Sequence, residues 1–336
     1  MWESIGTILH GDPVDKKEVN RMRDLVLFEG PETKKKLVKF FCLLILSSGI
    51  ATYGLLGDSV AVVIGAMIVA PLMLPIMGLA FSISIADRLA IKHSLLISIG
   101  GILTAIAVGF ILAWPLSNFF QVQNIDQVMV RTSPRLLDLL AALITGFAGA
   151  FAMSRHDVSD TLPGVAIAIS LVPPLANVGI LMATSNYSLA LGSLLLFMTN
   201  YFAILLTGAV LFGIMSFPKV AILKQSLSAK RSGIVIAIVM LVLIAVPLGY
   251  TGHNIFINNS ITQNVNEASI NWLSGSGFEV ISVDAESANE EVILRVIGEG
   301  ELPPIADLEE MIKGKLYGKT LKVEVVYSST YFLESG

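Results

Sequence analysis

Charge is scarce in this chain, and between Asp58 and Asp87 there is none. Asp, Glu, Lys and Arg make up 14% of the 336 residues while hydrophobic residues make up 54%, with a mean hydropathy of +0.76. So little charge beside so much apolar surface reads as a polytopic membrane protein. Cysteine is limited to Cys42, which rules out a disulfide framework within the chain. The formal net charge of −4 comes with no basic field for nucleic acid. No GxxxxGK[ST] phosphate loop is present, so an ATP-driven pump within this chain is not expected. HExxH and GxSxG are missing too, and His10, His93, His156 and His253 all fall at or outside the ends of the apolar runs. The expectation is no enzyme and no cofactor. The first twenty residues lack the basic-then-apolar layout of a signal peptide.

What is there in quantity is apolar length. Runs of about 20 apolar residues mark membrane-spanning helices, and seven are read, at 37–57, 59–86, 94–117, 136–153, 164–185, 188–215 and 233–250. Short polar joints such as "GDS" at 57–59 and "TSNYS" at 184–188 predict helix hairpins. With the N-terminus inside, the inner segments 1–36, 87–93, 154–163 and 216–232, together with Lys39, hold 15 of the 22 Lys and Arg residues. The outer loop 118–135 holds Arg131 and Arg135. That bias predicts a multi-pass cell-membrane protein with a cytoplasmic N-terminus and an extracytoplasmic C-terminus. Residues 1–36 show helical apolar spacing, with Asp12-Pro13 as a start signal and the lysines of "ETKKKLVK" at the boundary. An interfacial helix on the lipid bilayer fits this segment, and a plain positive-inside anchor explains the lysines equally well.

Adding 99 to a residue number makes the chain partly repeat itself. Asp58 matches Asp157, Gly65 matches Gly164, Pro75 matches Pro174, Gly109 matches Gly208, and "SLL" at 94–96 matches "SLL" at 193–195. Each unit, 37–117 and 136–215, holds three spans, so the second copy enters from the opposite side, as in many secondary transporters. The expected fold is an all-α polytopic membrane bundle: two inverted three-helix repeats plus a seventh span at 233–250, followed by a small soluble domain. The middle span of each repeat carries prolines, "APLMLP" at 70–75 and "SLVPPLAN" at 170–177. Prolines remove backbone donors and break helices, and broken spans at equivalent positions point to a midplane site. Kinked but ordinary packing is the competing explanation.

"GAMIVAPLMLPIMGLA" at 65–80 and "GVAIAISLVPPLANVG" at 164–179 resemble the prokaryotic uncharacterised hydrophobic-domain family, also called domain-of-unknown-function family 389, over roughly residues 35–215. The resemblance implies a multi-span membrane core that can be joined to a small soluble domain. It implies no substrate, reaction or functional residues. In relatives the soluble domain often precedes the spans, whereas here the sizeable one follows them.

Polar groups inside spans are costly and are candidates by default. The pathway candidates are Pro71, Pro75, Gly78, Pro173, Pro174, Asn177, Thr199 and Asn200. An Asn amide both donates and accepts, so it suits a substrate or a cation, or else glues helices together. Asp58 and Asp157 at the turns are gate or helix-cap candidates. Asp138 is expected to be solvated or paired with Arg135 or Arg131. "SRHDVSD" at 154–160, with Asp87 and His93, gathers metal-capable groups, but their spacing predicts no metal site. No charged residue lies near mid-span, which favours a neutral or weakly coordinated solute. Small residues such as those of "TGFAGA" in the fourth span permit close helix approach and a compact core, repeated in a homo-oligomer.

After residue 250 the composition changes: 251–336 hold 13 acidic and five basic residues. Apolar period-two alternation predicts strands at 278–284, 290–297 and 320–328, with helices at 260–275 and 304–315. The order α-β-β-α-β predicts an extracytoplasmic α+β domain for oligomer assembly or contact with an envelope partner.

Overall fold

The computed structural model describes residues 14–117, 119–155, 171–215, 256–285 and 291–328, together with Phe217, Gly249 and residues 253–254. Asp157, the start of the fifth apolar run and nearly all of the loop 216–232 and the seventh run lie outside the described residues. The chain divides into two units, Met1–Tyr250 and Thr251–Gly336.

The first unit opens with α1 (Lys16–Val26). Its cap is Asp15, whose carboxylate accepts from Glu18 N at 2.8 Å; the start signal read at Asp12-Pro13 lies outside the described residues. A helical stripe of Val19, Met22 and Val26 is buried in the core of this unit, so α1 docks on protein as well as facing its surroundings. There follow α2 (Thr33–Leu56), α3 (Val60–Val69), α4 (Met73–Ser84) and α5 (Arg88–Ala113). The loop 119–135 folds back through a turn at Val122–Asn124 and the short α6 (Asp126–Met129). Then come α7 (Leu136–Ser154), α8 (Val172–Ala183) and α9 (Tyr187–Ile214).

Among the described residues α2, α5, α7 and α9 are long and apolar enough to cross a membrane. The pair α3–α4, bent by 48° at its break, makes a fifth span if counted as one, and α8 is a short apolar helix. The expected seven are thus not all accounted for. The outward faces carry large exposed apolar side chains such as Leu46, Ile64, Leu103 and Ile144. Lipid tolerates that surface and water does not. These are the helices of a membrane protein. The third expected span begins at Arg88 rather than 94, because Asp87 caps it by accepting from Ala90 N at 3.2 Å. Residues 88–93 are therefore helix, not loop.

Contacts sort the joints into two ends. At one end Arg23 pairs with Asp87 at 2.8 Å and Arg21 donates to Ser154 O at 2.9 Å. At the other, Asp58 accepts from Gln127 N at 2.8 Å and Gln123 donates to Asn186 at 3.0 Å.

In the second unit a helix over 256–272, here α10, precedes a three-stranded sheet, with α11 (Ile305–Ile312) between the last two strands. The strands β1 (Phe278–Asp284), β2 (Glu291–Gly298) and β3 (Thr320–Tyr327) lie in the order β1-β2-β3, the first pair antiparallel and the second parallel. Alternate residues Val292, Leu294 and Val296 of the central strand are buried in one cluster with Val265, Trp272 and Leu308 of the helices. The α-β-β-α-β order is as read from the sequence.

Candidate functional site

The break in the second span has a local cause. A residue before proline is pushed out of the α region, and Ala70, ahead of Pro71, sits at ψ 125. The chain resumes as α4 with Pro75 at its third residue, and Leu74 N bonds back to Pro71 O at 3.1 Å. The first four N–H groups of any helix lack partners within it, which is expensive away from water. Prolines in that turn have no N–H to satisfy. α8 starts in the same manner, with Pro173 and Pro174 at its second and third residues. Pro71 is thus the breaker, whereas Pro75, Pro173 and Pro174 make a helix start tolerable at depth.

The two half-helices match in their bounds. α4 spans 73–84 and α8 spans 172–183, each bound 99 apart, and the following helices start at 88 and 187, also 99 apart. Gly109 of α5 lies against Ala176, where an added Cβ would sit 2.5 Å from its carbonyl oxygen; Gly208 of α9 lies against Met77 and Ala80. Adding 99 to Gly109 and subtracting 99 from Ala176 carries the first contact onto that of Gly208 with Met77.

Position 78 and its equivalent 177 each receive a segment from one end. A Cβ on Gly78 would meet Val26 O at 2.5 Å and Ser94 Oγ at 3.1 Å. Asn177, fully buried, donates through Nδ2 to Val128 O at 3.0 Å and to Ser193 Oγ at 2.9 Å. Ser193 in turn donates to Arg131 O at 2.8 Å. Ser94 and Ser193 are again 99 apart. So the end of α1 docks on one half-helix, and the α6 segment docks on the other. Asn177 Oδ1 has no partner among the described residues.

A cavity of about 180 Å³ opens beside the second of these. Met67 at the end of α3, Pro174 at the start of α8 and Asn200 in mid-α9 line its depth, while Arg131, Arg135 and Asp138 line its mouth. Arg135 holds Asp138 through two bonds of 3.1 Å, and that carboxylate raises the guanidinium's affinity for its proton. Arg131 is different. Burial holds it below the ordinary arginine value, with Asp138 opposing and Arg135 adding to the effect. At the other end the equivalent of Asn200 is Gly101, where Leu72, Phe40 and Leu44 fill the space.

The remaining candidates fall elsewhere. Thr199 bonds back to Leu195 O at 2.8 Å within its own helix. Asp58 does not cap the helix after it: Ser59 does, accepting from Val62 N, while Asp58 caps α6 across the loop. Asp157 lies outside the described residues, as does most of "SRHDVSD"; among those described no three His, Cys, Asp or Glu groups converge. A larger open groove of about 840 Å³ runs along α11 in the second unit, and no candidate named from the sequence lines it. Arg131, Arg135 and Ser193 escaped the sequence reading as site residues. The repeated "SLL" was the one available signal for Ser193.

The family model described as Domain of unknown function (DUF389) matches residues 67–206. This is the family that the two proline motifs resemble. The DUF389 match runs from the residue lining the cavity in α3 through both half-helices and Asn200, so it contains the whole lining of the cavity. The uncharacterized protein MJ0678 of Methanocaldococcus jannaschii is 33% identical over 172 residues, 51% of this chain and 52% of that protein. The chain spans about half the length of that curated relative.

Proposed function

We propose that this chain is a channel or secondary transporter for a small solute or ion, with a pathway between the broken spans that contain α4 and α8. The observation that carries the reading is the equivalence of those half-helices in start, end, proline position and docking partner. It supports two inverted repeats around a common centre. The ends differ: a cavity reaches Asn200 from the Asp58 end, and Leu72, Phe40 and Leu44 occupy the equivalent place at the Asp87 end. Two equivalent halves in unlike states are what alternating access requires, with α1 and the α6 segment as the two closures. The distribution of Lys and Arg supports an outside position for the Asp58 end. A second reading, an oligomeric scaffold or sensor without transport, draws on the separately folded α+β unit.

Water access tests the choice. In a Cys42→Ser background, single cysteines replace Asn200, Asn177, Ala70 and Met77 in sealed vesicles, and a membrane-impermeant thiol reagent is applied from each side. Asn200→Cys is expected to label from one side only, and Met77→Cys to stay protected. Protection of all four from both sides, while a control at Ser185 reacts, makes the scaffold reading the better one.

A further inference from the structure

The cavity at the Asp58 end has charge chemistry that its depth alone does not require. Arg131 donates through Nη1 to Gln127 O and Gln127 Oε1. Its Nε and Nη2 make no hydrogen bond among the described residues, and no carboxylate lies within ion-pair reach of it there. The nearest acid, Asp138, is already held by both Arg135 nitrogens and by Arg135 N at 3.0 Å. Two guanidinium groups therefore face one carboxylate, and the mouth carries a net charge of about +1 by ordinary side-chain ionisation. A half-buried guanidinium with a vacant edge is the usual receptor for a planar or tetrahedral oxyanion, which it grips with two parallel N–H bonds.

The walls add to this. Met67, Val130, Ala141 and Leu196 are apolar, so the field of Arg131 is poorly screened inside. The carbonyl of Arg131 is tied to α9 by Ser193, which holds the backbone beneath the guanidinium in place. Further in, the Asn200 side chain and the start of α8 at Pro174 present an amide and the positive end of a helix dipole. A water occupies about 30 Å³ in the liquid. On that scale the cavity has room for an anion of a few heavy atoms with part of its hydration.

We propose that this cavity binds a small oxyanion, gripped by the free edge of Arg131, with Arg135 and Asp138 setting the net charge and Asn200 lining the inner side. This deepens the pathway reading by naming the solute class that enters it, in place of the neutral solute that the charge-free spans suggest. Soluble carboxylate, inorganic phosphate and a phospholipid headgroup share the chemistry.

Binding is read on the full chain in phosphate-free detergent, where no flux is needed, by saturation-transfer NMR on the methyl signal of acetate at constant ionic strength with sodium chloride, which is no oxyanion. Wild type is expected to give a signal that phosphate competes away. Arg131→Gln should weaken it at least tenfold and Arg131→Lys less, since lysine keeps the charge but loses the fork. Ala141→Phe, at an exposed wall position, should abolish it by filling the cavity with both arginines intact, and so covers the case in which Arg131→Gln misfolds. Stronger competition by a soluble short-chain phosphatidate than by phosphate identifies a lipid headgroup as the source, and the reverse a soluble anion; either supports an oxyanion site. No acetate signal in wild type, or equal signals in wild type and Ala141→Phe, overturns the assignment. A site without cysteine access defeats the pathway reading alone, and access without a site defeats the anion alone.

Discussion

Replacing Gly78 with alanine probes the closure at the Asp87 end directly. The new Cβ would lie 2.5 Å from Val26 O, 3.1 Å from Ser94 Oγ and 3.4 Å from Leu27 Cδ2. A backbone oxygen cannot rotate away as a side-chain tip can, so α1 or α4 has to shift. Overpacking of this kind costs about 1–3 kcal/mol. Against it stands the burial of Val19, Met22, Val26 and Leu27, each contributing about 1.5–3 kcal/mol relative to full exposure, or roughly 6–12 kcal/mol together. The burial wins, so α1 stays docked on average and the strain emerges as a larger open population. At about 1.4 kcal/mol per factor of ten, opening rises roughly 5- to 140-fold. Hydrogen exchange read by mass spectrometry measures that population, because exchange through fast local opening scales with the opening constant. Amides 19–26 of Gly78→Ala are expected to exchange faster by that factor, with mid-α9 unchanged. Gly65→Ala, with nothing within 4 Å of its added Cβ, is the silent control. Unchanged exchange over 19–26, or an equal rise throughout the chain, refutes the docking argument.

Two further expectations follow from single contacts. Asp58 has φ 50 and accepts from Gln127 N; Asp58→Asn tolerates that backbone, whereas Asp58→Ala adds left-handed strain to a lost cap, roughly 1.5–4 kcal/mol in all, so exchange over 126–131 should rise more in the alanine variant. In the second unit Lys322 and Arg295 hold the Glu324 carboxyl below its ordinary value of 4.5; a depressed folded value means stability present above that pH and lost as pH falls through the lowered one. Thermal unfolding of Glu324→Gln should therefore depend less on pH than wild type below about pH 4.5, and parallel curves would count against the pairing.

Much of the fold was legible because punctuation residues act locally. Pro71 determines the backbone of Ala70 whatever surrounds it, and the alternation in "EVILRVIGE" follows from the pleat of a strand with one face buried. The start of α5 was misplaced because Arg88 and Lys92 look like loop residues beside an apolar run, yet long basic side chains reach the interface from a helix end. The cavity was not legible. It needs Arg131 and Asn200, 69 residues apart, on one wall, and that depends on how α6 folds back across the bundle. The partner of Asn177 could not be read either, since Val128 offers its carbonyl oxygen and a backbone oxygen has no sequence signature.

The break in the second span also bears on how the chain is made. α4 has 12 residues and is about 18 Å long, against a hydrocarbon core of about 30 Å, so lipid alone does not hold it as a separate span. One of its neighbours, α5, follows at once, but the face formed by Met77 and Ala80 waits for Gly208. Roughly 120 residues must be synthesised in between, which takes about 6–25 s at ordinary ribosome speeds. For that interval the bent pair α3–α4 has to persist without the helix that covers its Met77 and Ala80 face.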